Sequence, residues 1–539
     1  MRSLAAAAGM MTVLGISPAF AQCYSAGAGL TGACNAIAPS GTEATAIGLN
    51  ANATGDSATA FGNGAVANGE KAVAIGQGST ANGFGASAIG QNATANGGEA
   101  TATGLGAVAN GNFATAIGPV SEANGTSATA TGQGSTANGN NATASGRLSF
   151  AVGGNATATG AFSSANGAAA TATGQNSKAN GESASAYGQA SNAIGASATA
   201  IGQSSRANGA LATATGATSF ARGAGATATG AFSSADGARA TATGESSTAN
   251  GASATATGSS SFANGATASA YGQGSLANGS NTTAIGQAAN ATGTGATALG
   301  ASAVASANGA VAVGQNAAAT GVNAIAIGNG ATATGSVAVG NLALASNGGA
   351  AFGDNSVATG TSSTAVGPGA TATFANSAAI GNGASTSTAN QVSIGTASNT
   401  YRMPGITSAA SLSAQSGPTS FVTSDAAGNL ATTSFNPASI SSLQSQVSSL
   451  QSQVFDNRAE ARAGIAVALA VGAAPALQAG RRFGVSASYG NFQGSNAFGL
   501  GATALLYDSK SYAVVLNAGA GIGMETNVAG VRGAVGIQW

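Results

Sequence analysis

One short motif returns along most of this chain at a fixed interval. Ala44-Thr45-Ala46-Ile47-Gly48 recurs as Ala58-Thr59-Ala60-Phe61-Gly62 and then as Ala72-Val73-Ala74-Ile75-Gly76. The closing glycine comes back every 14 residues from Gly48 to Gly328, giving 21 copies. Five looser copies close at Gly340, Gly353, Gly367, Gly381 and Gly395. A second glycine follows seven residues after the first, often behind an asparagine, as in Asn68-Gly69 and Asn250-Gly251. Such a period means one structural unit stacked many times.

With Ala44 as position 1, position 3 is Ala in all 21 regular copies, and positions 8 and 10 are always Ala or Ser. Positions 2 and 4 take the bulkier residues, mostly Thr, Val, Ile, Phe, Tyr or Leu, and positions 1 to 5 never carry a charge. The alternation has period 2, so each half-unit is a short strand with two faces. The glycines, the Asn-Gly pairs in particular, are expected to supply the positive φ that turns the chain. Two strands and two turns make a flat coil, and coils stack in parallel at about 4.8 Å each, so 26 coils run roughly 125 Å. The bulkier positions 2 and 4 are expected to fill the thin interior. The unvarying Ala and Ser positions would then form a face on which neighbouring copies of the chain pack, with a tight single-chain roll that needs small residues as the alternative.

Composition removes whole classes of function. The chain of 539 residues has no His, two Cys, 14 Lys or Arg and 14 Asp or Glu. That excludes a His-based triad, an imidazole proton shuttle and a zinc site. Fourteen bases at zero net charge give no basic face for nucleic acid. No nucleophile–base pair, cofactor site or metal site is expected. Calcium-binding nonapeptide rolls need an acid in each turn, which this chain lacks. Silk-like disorder does not explain the strict positions. An ice-binding solenoid would use ladders such as Thr101/Thr103 and Thr129/Thr131, but Ile117, Tyr187 and Tyr271 interrupt them. The G-x-G-x-x-G string at Gly27–Gly32 is a chance match among 86 glycines.

The N-terminus reads as a secretory signal over residues 1–21. Met1-Arg2-Ser3 is basic, Leu4–Ile16 is apolar, and Ala19-Phe20-Ala21 is a cleavage site, so the mature chain is expected to start between Ala21 and Gln22. Residues 22–40 then hold Cys23 and Cys34. In an exported chain an intramolecular disulfide is expected, with free or intermolecular thiols as the alternative.

Beyond the head repeats of residues 41–395 the pattern changes. Residues 396–438 form a connector, with a turn-rich break at Tyr401–Gly405 and a hairpin around Asp425–Asn429. In residues 439–480, Ile440, Leu443, Val447, Leu450 and Val454 fall on a and d of a heptad. The register continues through Asn457, Ala461, Gly464, Ala468 and Val471, so the helix core thins to Ala and Gly. Residues 481–539 read as four amphipathic strands of the length that crosses a bilayer. Phe483, Val485, Ala487 and Tyr489 alternate with Gly484, Ser486, Ser488 and Gly490, and the last strand ends Val531, Gly533, Val535, Ile537, Trp539. Four strands cannot close a barrel, and open edges are not tolerated in lipid. Two chains would make eight strands, whose interior is filled by its own side chains, whereas three make twelve with room for three thin helices.

These residues resemble the YadA-like trimeric autotransporter adhesins. Coils such as Ala72-Val73-Ala74-Ile75-Gly76 are similar to that family's head repeat. The stretch from Ala461-Arg462-Ala463-Gly464-Ile465-Ala466 through Gly490-Asn491-Phe492-Gln493-Gly494 to Trp539 is similar to its membrane anchor. The resemblance implies a mostly β homotrimer: a left-handed parallel β-roll head, a short coiled-coil stalk and a transmembrane barrel of four strands per chain, 12 per trimer. It implies a protein of the Gram-negative outer membrane, inserted by barrel-insertion machinery, with the head on the cell surface. Trp539 would be the terminal aromatic presented for insertion. Ala461, Gly464 and Ala468 would pack where the helices traverse the pore. Function divides into two expectations. One is a self-exporting adhesin for host extracellular matrix, cell-surface ligands or itself. The other is a non-adhesive structural coat or ice-binding surface solenoid.

Overall fold

The computed structural model describes residues 25–26, 40–417, 419–433 and 437–539. The proposed cleavage site at Ala21 and Gln22, and both Cys23 and Cys34, lie outside the described residues. The chain divides into two compact units, one ending at Asn399 and the other starting at Thr400.

The first unit is a parallel β-solenoid. Each regular coil has a three-residue strand at positions 2–4, such as Thr45–Ile47, and a two-residue strand at positions 9–10, such as Asn52–Ala53. Each strand pairs in parallel with its counterpart one coil on. Thr45, Ala46 and Ile47 lie opposite Thr59, Ala60 and Phe61, and Asn52 and Ala53 lie opposite Val66 and Ala67. Two ladders therefore run the length of the unit, a wide one and a narrow one. The register shortens only where the sequence does, with Ile325 opposite Val337 and Val337 opposite Ala350. Ser25–Ala26 pairs antiparallel with the first wide strand.

The interior is the reverse of the sequence expectation. Ala44, Ala46, Ala51 and Ala53, at positions 1, 3, 8 and 10, are fully buried, and so are their counterparts coil after coil. Positions 2 and 4 point outward: Phe61 is 46% exposed and Ile75 38%. The unvarying small residues are the core, and no neighbouring chain packs on them. The physical reason is thickness. Residues 48–51 alone join one strand to the next, so the two ladders face each other across little more than two methyl layers. Where Ser replaces Ala at position 8 its hydroxyl is satisfied locally. Ser79 Oγ donates to Gly76 O and Ser121 Oγ to Gly118 O, both at 2.9 Å.

The glycines also divide by cause. Position 5 needs glycine twice over. Gly48 has φ +129°, and a Cβ there would lie 2.5 Å from the Gly62 carbonyl oxygen. Position 12 is different: Gly69 has no positive φ, but a Cβ would drive into the Gly83 carbonyl. The Asn-Gly pairs are therefore not the left-handed turn points expected of them. Those are positions 7 and 14, where Asn50 (φ 57°), Ser57 (φ 52°) and even Phe113 (φ 58°) adopt the conformation. The asparagine before position 12 has another use. Asn68, Asn82, Asn96, Asn110, Asn124 and Asn138 form a continuous amide ladder, each Nδ2 donating to the next Oδ1 at 2.7–2.8 Å.

In the second unit a 3-10 turn (Pro404–Thr407) and a short helix (Ala409–Ala414) occupy the turn-rich break. The expected hairpin is present, with Val422–Ser424 antiparallel to Leu430–Thr432. A long helix spans Pro437–Val471. It ends well short of residue 480, because Gly472 and Pro475 follow. Four strands then form an antiparallel meander: Phe483–Phe492, Ser495–Asp508, Ala513–Gly523 and Ala529–Gln538. The first turn is a tight one at Gln493 (φ 48°) and Gly494 (φ 86°), the left-handed pair that favours a two-residue hairpin loop.

Two outcomes are expected of the head. Gly69→Ala should destabilise its coil far more than Gly64→Ala. Gly64 (φ +66°) has open space around it, so alanine there costs only about 1–2 kcal/mol of left-handed strain. Thermal unfolding of the two variants checks this, and equal losses would mean the coils are not in backbone contact at position 12. Ala172→Asp places a charge in the sealed interior, at a cost of several kcal/mol. Limited proteolysis should then cut near residue 172 in an otherwise resistant head, and unchanged resistance would put Ala172 outside the core.

Candidate functional site

Two surfaces are set up for contact, one on each unit. On the solenoid, the outward side chains of the wide ladder lie at positions 2 and 4. No charged residue occurs there in any coil from Thr45 to Ile394. Its last ten coils carry Tyr271, Ile285, Leu299, Val313, Ile327, Val339, Phe352, Val366, Ile380 and Ile394 in one outward column, all partly or well exposed. The middle of the same face is threonine, with Thr129 and Thr131 or Thr227 and Thr229 side by side. The narrow ladder is unlike it, with Glu122, Lys178 and Arg206 at the outward position 9. A face that excludes charge over so many coils while remaining exposed is the kind of surface that closes against another molecule.

In the second unit the helix lies on the glycine and serine face of the sheet. Ala463, Ala466, Val467, Ala470 and Val471 are buried there. The sheet has no side chains in the way. A Cβ on Gly499 would lie 2.6 Å from Ala470 O, one on Gly501 2.8 Å from Ala473 O, and one on Gly521 2.6 Å from Val471. Gly490 is closed off in the same way by Ala466 and Ala470. Ser486 Oγ donates to Ala473 O at 3.2 Å, and Ser488 Oγ donates to Ala470 O. Arg532 Nη1 donates to Gly472 O at 2.9 Å, which puts a cation on the helix C-terminus, where the dipole favours it. The opposite face is apolar and open: Phe483, Val485, Val531 and Trp539 are each more than three-quarters exposed. Among the described residues the outer edges of the first and last strands have no partner.

The residues singled out for the helix core fall on its other side. Ala461 and Ala468 are exposed, and Gly464 is half-buried with nothing within 4 Å of a Cβ placed on it. Ile440, Leu443, Val447, Leu450 and Val454 continue this open stripe toward the N-terminal end, all exposed. Val471, expected at the end of the stripe, instead packs toward Gly519 and Gly521 on the sheet. A straight helix drifts about 20° per heptad away from a 3.5-residue register, which carries Val471 off the line. The heptad pattern therefore missed the sheet-facing row Ala463, Ala466 and Ala470. Its signal was present in the sequence as the matching glycines of the strands.

At one rim of the sheet, Asn496 is a polar node. Its backbone N–H donates to Glu525 Oε2 at 2.8 Å and its side-chain amide to Glu525 Oε1 at 2.6 Å, while Tyr489 and Asn491 donate to its Oδ1. Those two donors from Asn496 hold the Glu525 carboxyl below the usual carboxylate range. The contact is at full strength above the unfolded value and fades as pH falls through the lowered one. In the hairpin, the side-chain amide and backbone N–H of Asn429 lower Asp425 in the same sense. Among the described residues no cluster of three or more metal-ligating side chains exists. No helix there is long and apolar enough to cross a membrane.

No curated protein matches the chain. The family model of the YadA head domain repeat matches it in twelve stretches: residues 40–65, 53–79, 67–93, 81–107, 95–121, 123–149, 144–170, 277–303, 291–317, 305–331, 319–343 and 358–384. Residues 171–276 keep the same coils and register between the matched blocks. The repeats thus account for the solenoid, and the four-stranded C-terminal sheet fits a barrel anchor. The chain carries YadA head domain repeats across much of its length, and its architecture is consistent with a YadA-like trimeric autotransporter adhesin.

Proposed function

We propose that the protein is a surface adhesin, a homotrimer that anchors in the outer membrane through its last four strands, assists its own export and holds its head outside the cell. The observation that carries this reading is the C-terminal sheet. One face is apolar and open, the other is filled by the chain's own helix, and among the described residues neither edge has a partner strand. In lipid such edges must be closed by strands of other copies. Eight strands would leave an interior full of its own side chains, whereas twelve would hold three helices. The exposed side of each helix, with Ala461, Gly464 and Ala468, would then meet its two counterparts on the axis. Trp539 stands free for insertion into the membrane by the barrel-insertion machinery. In the head, the charge-free wide face supports packing between the three copies, in place of the alanine face.

The head supports adhesion to matrix, cells or other heads over an ice-binding coat. Tyr187 and Tyr271 are 42% and 41% exposed and stand out of the threonine columns, so the face offers no flat array of hydroxyls. Expression of the full chain in a host with an outer membrane should display the head and make the cells adhere to matrix proteins, to other cells or to one another. A displayed head that adheres to nothing would favour the coat.

The anchor has a sharper test. A Cβ placed on Gly464 has nothing within 4 Å in its own chain, so the substitution is directed at the contacts between copies. Three large rings at one level should overpack the axis by about 1–3 kcal/mol per site. The variant should lose the heat-resistant trimer on a gel of unboiled outer membranes and lose surface labelling of the head. Ser442→Phe, on an exposed position of the helix, should lose neither. A Gly464→Phe chain that runs as trimer and displays normally would remove the helices from the pore.

A further inference from the structure

The few cations of the head are unevenly placed. Its first coils are acidic, with Glu43, Asp56, Glu70, Glu99 and Glu122 against a single Lys71, which pairs with Glu70 at 3.3 Å. Arg147, Lys178, Arg206, Arg222 and Arg239 all fall in the middle coils, where the acids are Glu182, Asp236 and, one coil on, Glu245. Two of these cations, Lys178 and Arg206, share the outward face of the narrow ladder. The strand registers set Ser164, Lys178, Asn192, Arg206 and Phe220 in one row, each opposite the next on successive coils. Lys178 and Arg206 are exposed. The Phe220 ring centroid lies 5.7 Å from the Arg206 guanidinium and 5.0 Å from that of Arg222. Arg222 is neutralised by Asp236 at 2.8 Å. Lys178 and Arg206 have no such acid, because the ion pairs among the described residues are Lys71–Glu70 and Arg222–Asp236.

The row has a direction and a spacing. Coils about 4.8 Å apart place Lys178 and Arg206 about 9.6 Å apart along the solenoid axis. That suits a linear polymer with widely spaced anionic groups. A nucleic acid duplex, with one charge per about 1.7 Å, would need many more cations. Beside the cations lie amides and hydroxyls, Asn166, Asn180, Asn208 and Ser164, which exchange hydrogen bonds with hydroxyl groups. Phe220 offers a ring for the C–H face of a sugar. We propose that this row is a binding strip for an acidic polysaccharide, laid along the head with its carboxylate or sulfate groups on Lys178 and Arg206 and a sugar ring at Phe220. The proposal rests on the adhesin reading and gives that reading a partner. Each strip is weak by itself, and the copies of one trimer would act together on one polymer.

The test uses the full-length protein in detergent on immobilised heparin, hyaluronate and neutral dextran, at low and at physiological salt. Retention is expected on the two acidic polymers and not on dextran, falling as salt rises. Lys178→Gln/Arg206→Gln should cut retention severalfold without moving the melting temperature. Lys178→Arg/Arg206→Lys should keep it, and Lys71→Gln should have no effect. Equal retention on dextran, or a double variant that binds as well as the parent, overturns the strip. Cells displaying the parent chain are scored for adhesion alongside. Adhesion without polyanion retention refutes the strip and leaves the adhesin reading standing. Polyanion retention with no adhesion refutes the adhesin reading and leaves the strip.

Discussion

Contact between glycine backbones of successive coils is the constraint on which the head depends. At positions 5 and 12 the α-carbon of one coil sits against the carbonyl of the next, with no room for a Cβ at Gly48 or Gly69. This contact holds the coils at strand spacing along both turns and lets the two ladders run in register. The rest follows from that closeness. Strands joined by so few residues cannot hold large side chains between them, so the interior is alanine methyls from Ala46 through Ala379, with small, locally bonded serine side chains at position 8 of many coils. Turn residues must take left-handed φ wherever the coil bends, and Asn or Ser does so at modest cost. Every larger side chain is left on the outside, where it is free to vary and to meet partners.

The repeat period, the coil, both ladders and the four C-terminal strands were legible in the sequence, because each rests on strict spacing. Which face of the coil lies inside was not. Period 2 separates positions 2 and 4 from positions 1 and 3 but does not say which pair points inward. In most sheets the larger apolar residues would be buried. Here Ile75 and Phe61 are outside and Ala74 and Ala60 inside, since the thickness of the coil is a property of its turns and not of any one residue. The same limit applies to Asn68-Gly69. The pair looks like a turn signal, yet Gly69 is there for close approach and Asn68 for the amide ladder.

The second unit repeats the head's rule at larger scale. Gly490, Gly499, Gly501 and Gly521 strip one face of the sheet so that a helix backbone lies directly on it. On the helix, Ala466 and Ala470 do the same in return. Their spacing on the helix was hidden by the heptad, which marks the opposite side through Ala461, Gly464 and Ala468. One helix therefore has two small-residue sides. The first is occupied by its own sheet, and the second is the one assigned above to the neighbouring copies.

The central claim is that small residues form the interior of each coil and that the charge-free wide face is covered by other copies. Thiol labelling in a single coil tests it most directly. In a chain carrying Cys23→Ser and Cys34→Ser, single cysteines are introduced as Ala228→Cys, Thr229→Cys and Ser234→Cys, and cells displaying each are treated with a membrane-impermeant maleimide. Ala228 is fully buried, whereas Thr229 and Ser234 point outward on the wide and narrow ladders. The account predicts that Ser234→Cys reacts at once, that Thr229→Cys reacts only after the trimer is dissociated, and that Ala228→Cys stays unlabelled until the head unfolds. Rapid labelling of Ala228→Cys, or of Thr229→Cys in the intact assembly, would contradict it.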